Sequence, residues 1–195
     1  MKKHLYFFQL SLFIISCASQ KSDTAQIKEC FDNCKSAIIE KDGENAIKYV
    51  SEKSFAEYSI LLQKIKQEDS LELSNEEYAT KLFILRVRHL IPPEQILRLN
   101  SRSLLVVIIN YGISNNNNIR NSTLKEITIK DNSANATLMI NGKLTPFVYS
   151  FSKENNMWKI ILRVPWNLSF KQLFPDAEIT ETEYIENQLL EISNS

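Results

Sequence analysis

Apolar residues recur at two different periods along this chain, and the change of period divides its body. Ile27, Cys30, Phe31, Cys34 and Ile38 fall at i, i+3, i+4, i+7 and i+11. That is one stripe of a helix, predicted over residues 23–41. Asp42 can cap a second short helix carrying Ala46, Ile47, Tyr49 and Val50, and a third starts near Ser54 with Phe55, Tyr58, Leu61, Leu62 and Ile65 on one face. Ser74-Asn75-Glu76-Glu77 has the form of a capping box and is expected to open a helix running to about Leu90. Pro92-Pro93 stops that helix and can start the next. Residues 104–109 are six branched apolar residues. Periodicity alone does not separate a buried strand from a buried helix there, but Asn100 and Ser103 offer caps, which favours a helix.

Beyond residue 124 the period falls to two. Residues 124–130, 134–140, 145–152 and 157–164 are β-rich runs, separated by Asp131-Asn132-Ser133, Asn141-Gly142 and Glu154-Asn155-Asn156. Asn-Gly between two such runs is a strong hairpin signal, so the second half reads as a four-stranded antiparallel meander. Alternation puts Ala136, Leu138 and Ile140 on one face, and likewise Phe147, Tyr149 and Phe151, then Trp158, Ile160 and Leu162. That face is expected to be buried against the helices. Pro165 should end the sheet, Asn115 to Asn118 reads as a solvated loop, and residues 180–192, with Tyr184, Ile185, Leu189 and Ile192, read as an amphipathic helix. Helices followed by a meander make an α+β layer arrangement.

The 195 residues carry 23 basic and 23 acidic side chains. A balanced chain has no field of one sign to gather nucleic acid, and none is expected as a partner. The first residues depart from the globular pattern. Met1-Lys2-Lys3-His4 is basic, and residues 5–15 are apolar apart from Gln9 and Ser11. A spanning helix needs about 20 apolar residues, whereas a basic start followed by a short apolar run is the form of a secretory signal. A first core helix is the plainer alternative, but no polar face alternates with the apolar one.

Ile14-Ile15-Ser16-Cys17 resembles the lipobox of bacterial lipoproteins. The resemblance implies removal of residues 1–16 as a signal peptide and a palmitate-bearing, acylated N-terminus at Cys17. It places the chain in the cell envelope, anchored to the membrane by lipid. Ala18 after the cysteine favours the outer membrane over the inner one in a diderm cell. Loss of Lys2 and Lys3 leaves 21 basic against 23 acidic residues, a net charge of −2. Residues 17–26 then read as a tether, 27–166 as the α+β domain and 167–195 as a C-terminal tail.

Cys30 and Cys34 remain. An exported protein can oxidise a cysteine pair, but residues four apart on a helix hold their β-carbons about 5–6 Å apart and a disulfide wants about 3.8 Å. Free, buried thiols are expected, and no histidine lies near enough in sequence to suggest a metal site.

The first helix, the helix–turn–helix sequence AIIEKDGENAIKYVSEKSFAEY and the paired strands ending in NNMWKIIL are similar to the nuclear transport factor 2-like cone. That resemblance implies helices packed on a curved antiparallel sheet. Between residues 51 and 113 the chain departs from it, with a helical insertion where the family usually has one strand and one helix. Enzymes of that family place Asp, His or Tyr between sheet and helices.

The apolar stripes of the strands hold no carboxylate, which counts against a general base in an apolar site, and Asp131 and Glu154 are expected to be solvated in their turns. His89 is the one histidine left after residue 16. On a helix over residues 75–90 it shares a face with Tyr78, Leu82 and Leu85, with Arg86 close by. A pocket with His89 as base and Tyr78 as partner can be drawn, and a core or helix-terminal histidine is the plainer reading. Tyr49, Tyr58, Tyr78, Tyr149 and Trp158 either line an apolar cavity or are core. No glycine-rich phosphate loop, GxSxG or HExxH pattern occurs. No catalytic set, cofactor or metal is implied. The sequence therefore points to a non-catalytic module for a small apolar ligand or an envelope protein. The alternatives are an isomerase- or hydrolase-like enzyme built around His89 and an assembly protein docking through its tail.

Overall fold

The computed structural model describes residues 21–67, 70–113, 117–164 and 169–193. Cys17 and the lipobox lie outside the described residues, as does Pro165. Helix α1 (Asp23–Ile39) starts where Ser22 Oγ accepts from Ala25 N at 3.3 Å, with Asp23 in the first turn. It therefore begins inside the range read as a tether, and the ordered domain starts at least four residues earlier than residue 27. The whole predicted stripe of α1 is buried. The helix ends in a Schellman turn: Lys41 takes φ 58°, and Asp42 N donates to Ala37 O at 2.8 Å.

Asp42 then caps α2 (Gly43–Ala46) through Asn45 N. A Cβ on Gly43 would stand 2.4 Å from Val106 O, so only glycine lets α2 lie this close to the backbone of α7 (Ser101–Asn110). Residues Ile47–Tyr49 form a 3-10 turn, and α3 (Glu52–Gln67) buries the predicted face of Phe55, Tyr58, Leu61, Leu62 and Ile65. Three further helices follow, α4 (Ser70–Ser74), α5 (Tyr78–Leu90) and α6 (Pro93–Arg98). The capping box at Ser74 does not form. Ser74 Oγ donates to Leu71 O at 2.6 Å, closing α4, and α5 begins after Glu77 with no side-chain cap. The run at 104–109 is the interior of α7, opened by a capping box between Asn100 and Ser103. Leu104, Leu105, Val106, Ile108 and Ile109 are all buried, which is why the run shows no polar face. The asparagine run is not all loop: α8 (Asn117–Arg120) begins within it.

Strands β1 (Ser122–Lys130), β2 (Ser133–Ile140), β3 (Lys143–Glu154) and β4 (Met157–Ile161) pair in chain order as an antiparallel sheet. Both Asn141-Gly142 and Asn155-Asn156 turn with positive φ at both residues, the geometry of two-residue hairpins. The sheet stays open. Its inner face carries Ala134, Ala136, Leu138, Phe151, Trp158 and Ile160 against the helices, with α1 lying on β1 and β4.

Phe147 departs from the predicted alternation and is 60% exposed. Thr137 pairs with Val148 and Met139 with Leu144, so Thr145, Pro146 and Phe147 bulge opposite the single Leu138. Proline has no N–H for the ladder, and the bulge puts Pro146 where none is needed. The sheet also ends before Pro165. After Ile161, Leu162 N donates to Ser54 Oγ at 3.0 Å and Val164 N to Glu57 Oε2 at 3.1 Å, which turns the chain onto α3. The tail holds α9 (Phe170–Leu173) and α10 (Glu181–Ser193).

Candidate binding groove

The seven aromatic, Arg and His residues considered for a ligand site do not meet in one cavity. Tyr58 and Tyr149 belong to the main core. Tyr58 is buried, and Tyr149 packs against Phe31 with ring centroids 5.6 Å apart and the planes tilted at 59°. Burial pushes both phenols up, so both keep their protons at ordinary pH.

Tyr78 and Arg86 sit elsewhere, in a second hydrophobic cluster between α5 and the tail. Tyr78 meets Phe170, Phe174 and Tyr184 at centroid distances of 5.2 to 6.1 Å. Burial and the neighbouring Tyr184 push its phenol up to about 12. Arg86 donates to Gln188 Oε1 at 2.5 Å, while its Nε is buried with no hydrogen-bond partner among the described residues. His89, in the last turn of α5, is exposed. A catalytic pocket pairing Tyr78 with His89 is therefore corrected: one lies in a packed cluster and the other faces solvent.

Tyr49 and Trp158 do share a site. An open groove of about 410 Å³ runs between α1, the 3-10 turn and β4, within the usual size of small-molecule sites. Gln26, Glu29 and Asn33 form the α1 wall. Tyr49, Met157 and Trp158 supply apolar surface, and Lys48 and Lys159 supply positive charge. Trp158 is fixed because its Nε1 donates to Asp23 Oδ1 at 2.9 Å, the same oxygen that pairs with Lys153 Nζ at 2.7 Å. Those two bonds, Lys153 first, hold the Asp23 carboxyl below its ordinary value. Lys159 Nζ donates to the Lys48 carbonyl.

Cys30 lies in the wall of this groove and Cys34 one turn further along α1. Both are free and buried. Burial pushes the Cys30 thiol up to about 11 and the Cys34 thiol up to about 12, so neither is a thiolate nucleophile at neutral pH. Sequence reasoning found two residues of the groove and missed Lys48, Met157 and Lys159, which carry no periodic signal. A smaller groove of about 330 Å³ lies on the other side of α1, against β1, with Lys28, Phe31, Asp32 and Lys125 in its lining.

Glu154 is not a solvated turn residue. The hydroxyls of Ser51 and Ser152, 2.8 Å apart, both donate to Glu154 Oε1, at 2.5 and 2.7 Å. Glu52 N donates to Oε2 at 3.3 Å. Burial alone would raise this carboxyl, but the three donors outweigh it and hold the group below its ordinary value. Glu154 thus caps the N-terminus of α3 from the sheet.

The described part of the tail folds onto α5. Its apolar face packs on α5, and Lys81 pairs with Glu181 at 2.6 Å. No helix among the described residues is long and apolar enough to cross a membrane. Among those residues no cluster of three His, Cys, Asp or Glu could hold a metal ion. Compared with family profiles, curated proteins and solved structures, the chain matches none.

Proposed function

We propose that this chain is an exported lipoprotein, acylated at Cys17 and held in the cell envelope, in the outer membrane where the cell has one. Its domain acts there as a non-catalytic module that binds a small apolar ligand in the groove of Tyr49, Met157 and Trp158. The observation that carries the reading is the Ile14-Ile15-Ser16-Cys17 pattern directly behind a basic start and a short apolar run. Lys21 Nζ pairs with Glu29 at 2.8 Å and Gln26 Nε2 donates to Lys21 O at 2.8 Å. Both partners belong to the groove wall. Cys17 stands four residues before Lys21 in the sequence, and Lys21 is tied to the wall of the groove that gathers Tyr49 and Trp158.

The domain is a nuclear transport factor 2-like cone in this reading. Helix α1 on the inner face of a four-stranded meander supports it, as do the bulges in β1 and β3, which bend a sheet. In that reading the helices from α3 to α7 are the insertion relative to the cone. The enzyme alternative built on His89 gains no support from an exposed imidazole.

Growth with radioactive palmitate tests the anchor. Wild type should be labelled and Cys17→Ala should not; equal labelling of the two overturns the reading.

A further inference from the structure

The groove brings together three features that select one kind of occupant. The first is charge. Lys48 and Lys159 stand against a single carboxylate in its lining, Glu29, and that carboxylate is already paired with Lys21. Among the described residues neither lysine forms an ion pair with a carboxylate. Glu154 feels the Lys159 charge, but its oxygens already accept from Ser51, Ser152 and Glu52 N, so the groove lining keeps a net positive charge and suits an anion.

The second is an apolar strip beside that charge. Met157 is 55% exposed at the start of β4, immediately after the exposed Asn155-Asn156 turn, and Tyr49 is half-buried next to it. A flexible thioether beside an aromatic ring is an adaptable surface for alkyl chains. Positive charge next to exposed apolar surface, in a site open along one side, fits an amphiphile better than an apolar molecule that would need enclosure.

The third is position. From Lys21 to Cys17 is four residues, a reach of about 14 Å at full extension. Acylation at Cys17 would hold the groove rim within that distance of the headgroup layer.

We propose that the groove takes a phospholipid of the anchoring membrane. Its anionic headgroup sits at Lys48 and Lys159, and the first part of an acyl chain lies along Met157 and Tyr49. This deepens the ligand-binding reading above and shares its premise of anchoring at Cys17. The lipid fixes the domain's orientation, with the β3–β4 turn and the N-terminus of α1 towards the bilayer and the β2–β3 turn, at the opposite end of β3, away from it.

The test uses the mature chain with Cys17→Ser, so that no attached lipid contributes, and vesicles of equimolar phosphatidylglycerol and phosphatidylcholine or of phosphatidylcholine alone. Co-flotation should occur with the anionic vesicles and be weak with the neutral ones. Each lysine near an anionic surface contributes about a factor of five, so Lys48→Ala with Lys159→Ala should lower partitioning about 25-fold. Met157→Gln, at an exposed position, should lower it without changing the thermal midpoint. It keeps the test decisive if the double variant fails to fold.

Equal binding to both vesicle types, or binding that neither variant changes, overturns the proposal. Suppression of flotation by glycerol phosphate at concentrations comparable to the lipid would show a free-phosphate site instead and also overturn it. Palmitate labelling separates the two failures. A labelled chain whose unacylated form ignores anionic vesicles loses this inference and keeps the anchor, whereas an unlabelled chain that still floats loses the anchor and keeps the lipid site.

Discussion

Among the described residues two hydrophobic clusters differ sharply in build. The main core joins α1, α3, α7 and the sheet, with Ile27, Leu61, Leu104, Ile108 and Phe151 almost wholly buried. The second cluster joins α5 to the tail through three buried residues, Tyr78, Phe170 and Ile185, with half-buried aromatic neighbours around them. Polar joints differ in the same way. In the main body a carboxylate with three donors ties β3 to α3. At the tail, Lys81–Glu181 and Arg86–Gln188 are single contacts between partly exposed side chains. Cooperative stability follows buried apolar contact, so the tail should open on its own while the core stays closed.

The largest effect should come from Phe151→Ala, which empties a site in the centre of the main core. Such truncations cost about 3–5 kcal/mol, and the whole chain should lose it together, as a single shift of the denaturation midpoint by every probe. Tyr78→Ala deletes a ring of comparable size from the second cluster. Its cost should be about 1–3 kcal/mol, limited by how much docking the tail has to lose. It should appear as faster hydrogen exchange and proteolysis within residues 169–193, with Trp158 fluorescence, read in a Trp166→Phe background, and the core midpoint nearly unchanged. Two probes moving together in Tyr78→Ala would mean that the clusters form one cooperative unit, and the comparison would fail. Alkylation adds a check on the core side. Cys30 and Cys34 should resist labelling in native Tyr78→Ala and react fully, without reductant, once the chain is denatured.

What the sequence revealed divides along a related line. Elements written in local chemistry were legible. The α1 stripe, the Asp42 cap, the Asn100–Ser103 box and the Asn-Gly hairpin all lie within a few residues of the structure that they determine. Reading failed where a distant partner or an irregularity decides. Ser74-x-x-Glu77 has the residues of a capping box, but the Ser74 hydroxyl turns back to Leu71 O. Phe147 obeys the period-two count only if the ladder is regular, and the bulge around Pro146 breaks it. Glu154 follows a strand into a turn, and nothing nearby announces Ser51 and Glu52, about one hundred residues earlier. The site suffered the same limit. Helical and strand faces tell which side chains turn inward but not which elements become neighbours. Five tyrosine and tryptophan candidates therefore scattered over three places, and only Tyr49 and Trp158 met in a groove.

The smallest effects come from the two polar joints, and they sharpen the comparison because the same substitution can be made at both. Glu154→Gln removes a charge that accepts three hydrogen bonds at a partly buried site, and should cost about 1 kcal/mol after allowance for solvent screening. Glu181→Gln breaks one partly exposed ion pair and should cost only a few tenths of a kcal/mol, seen in tail exchange alone. Acid titration distinguishes them further. The folded Glu154 carboxyl lies below the ordinary glutamate value of 4.5, so it binds its proton less readily in the folded chain than in the unfolded one. Its contribution is complete above 4.5 and fades as pH falls through the lower, folded value. Wild type should therefore lose stability more steeply than Glu154→Gln below about pH 4.5, with the two curves parallel above it. Parallel curves throughout the acid range would show that the Ser51–Ser152–Glu154 joint does not hold its charge, and the main core would then owe its cooperativity to packing alone.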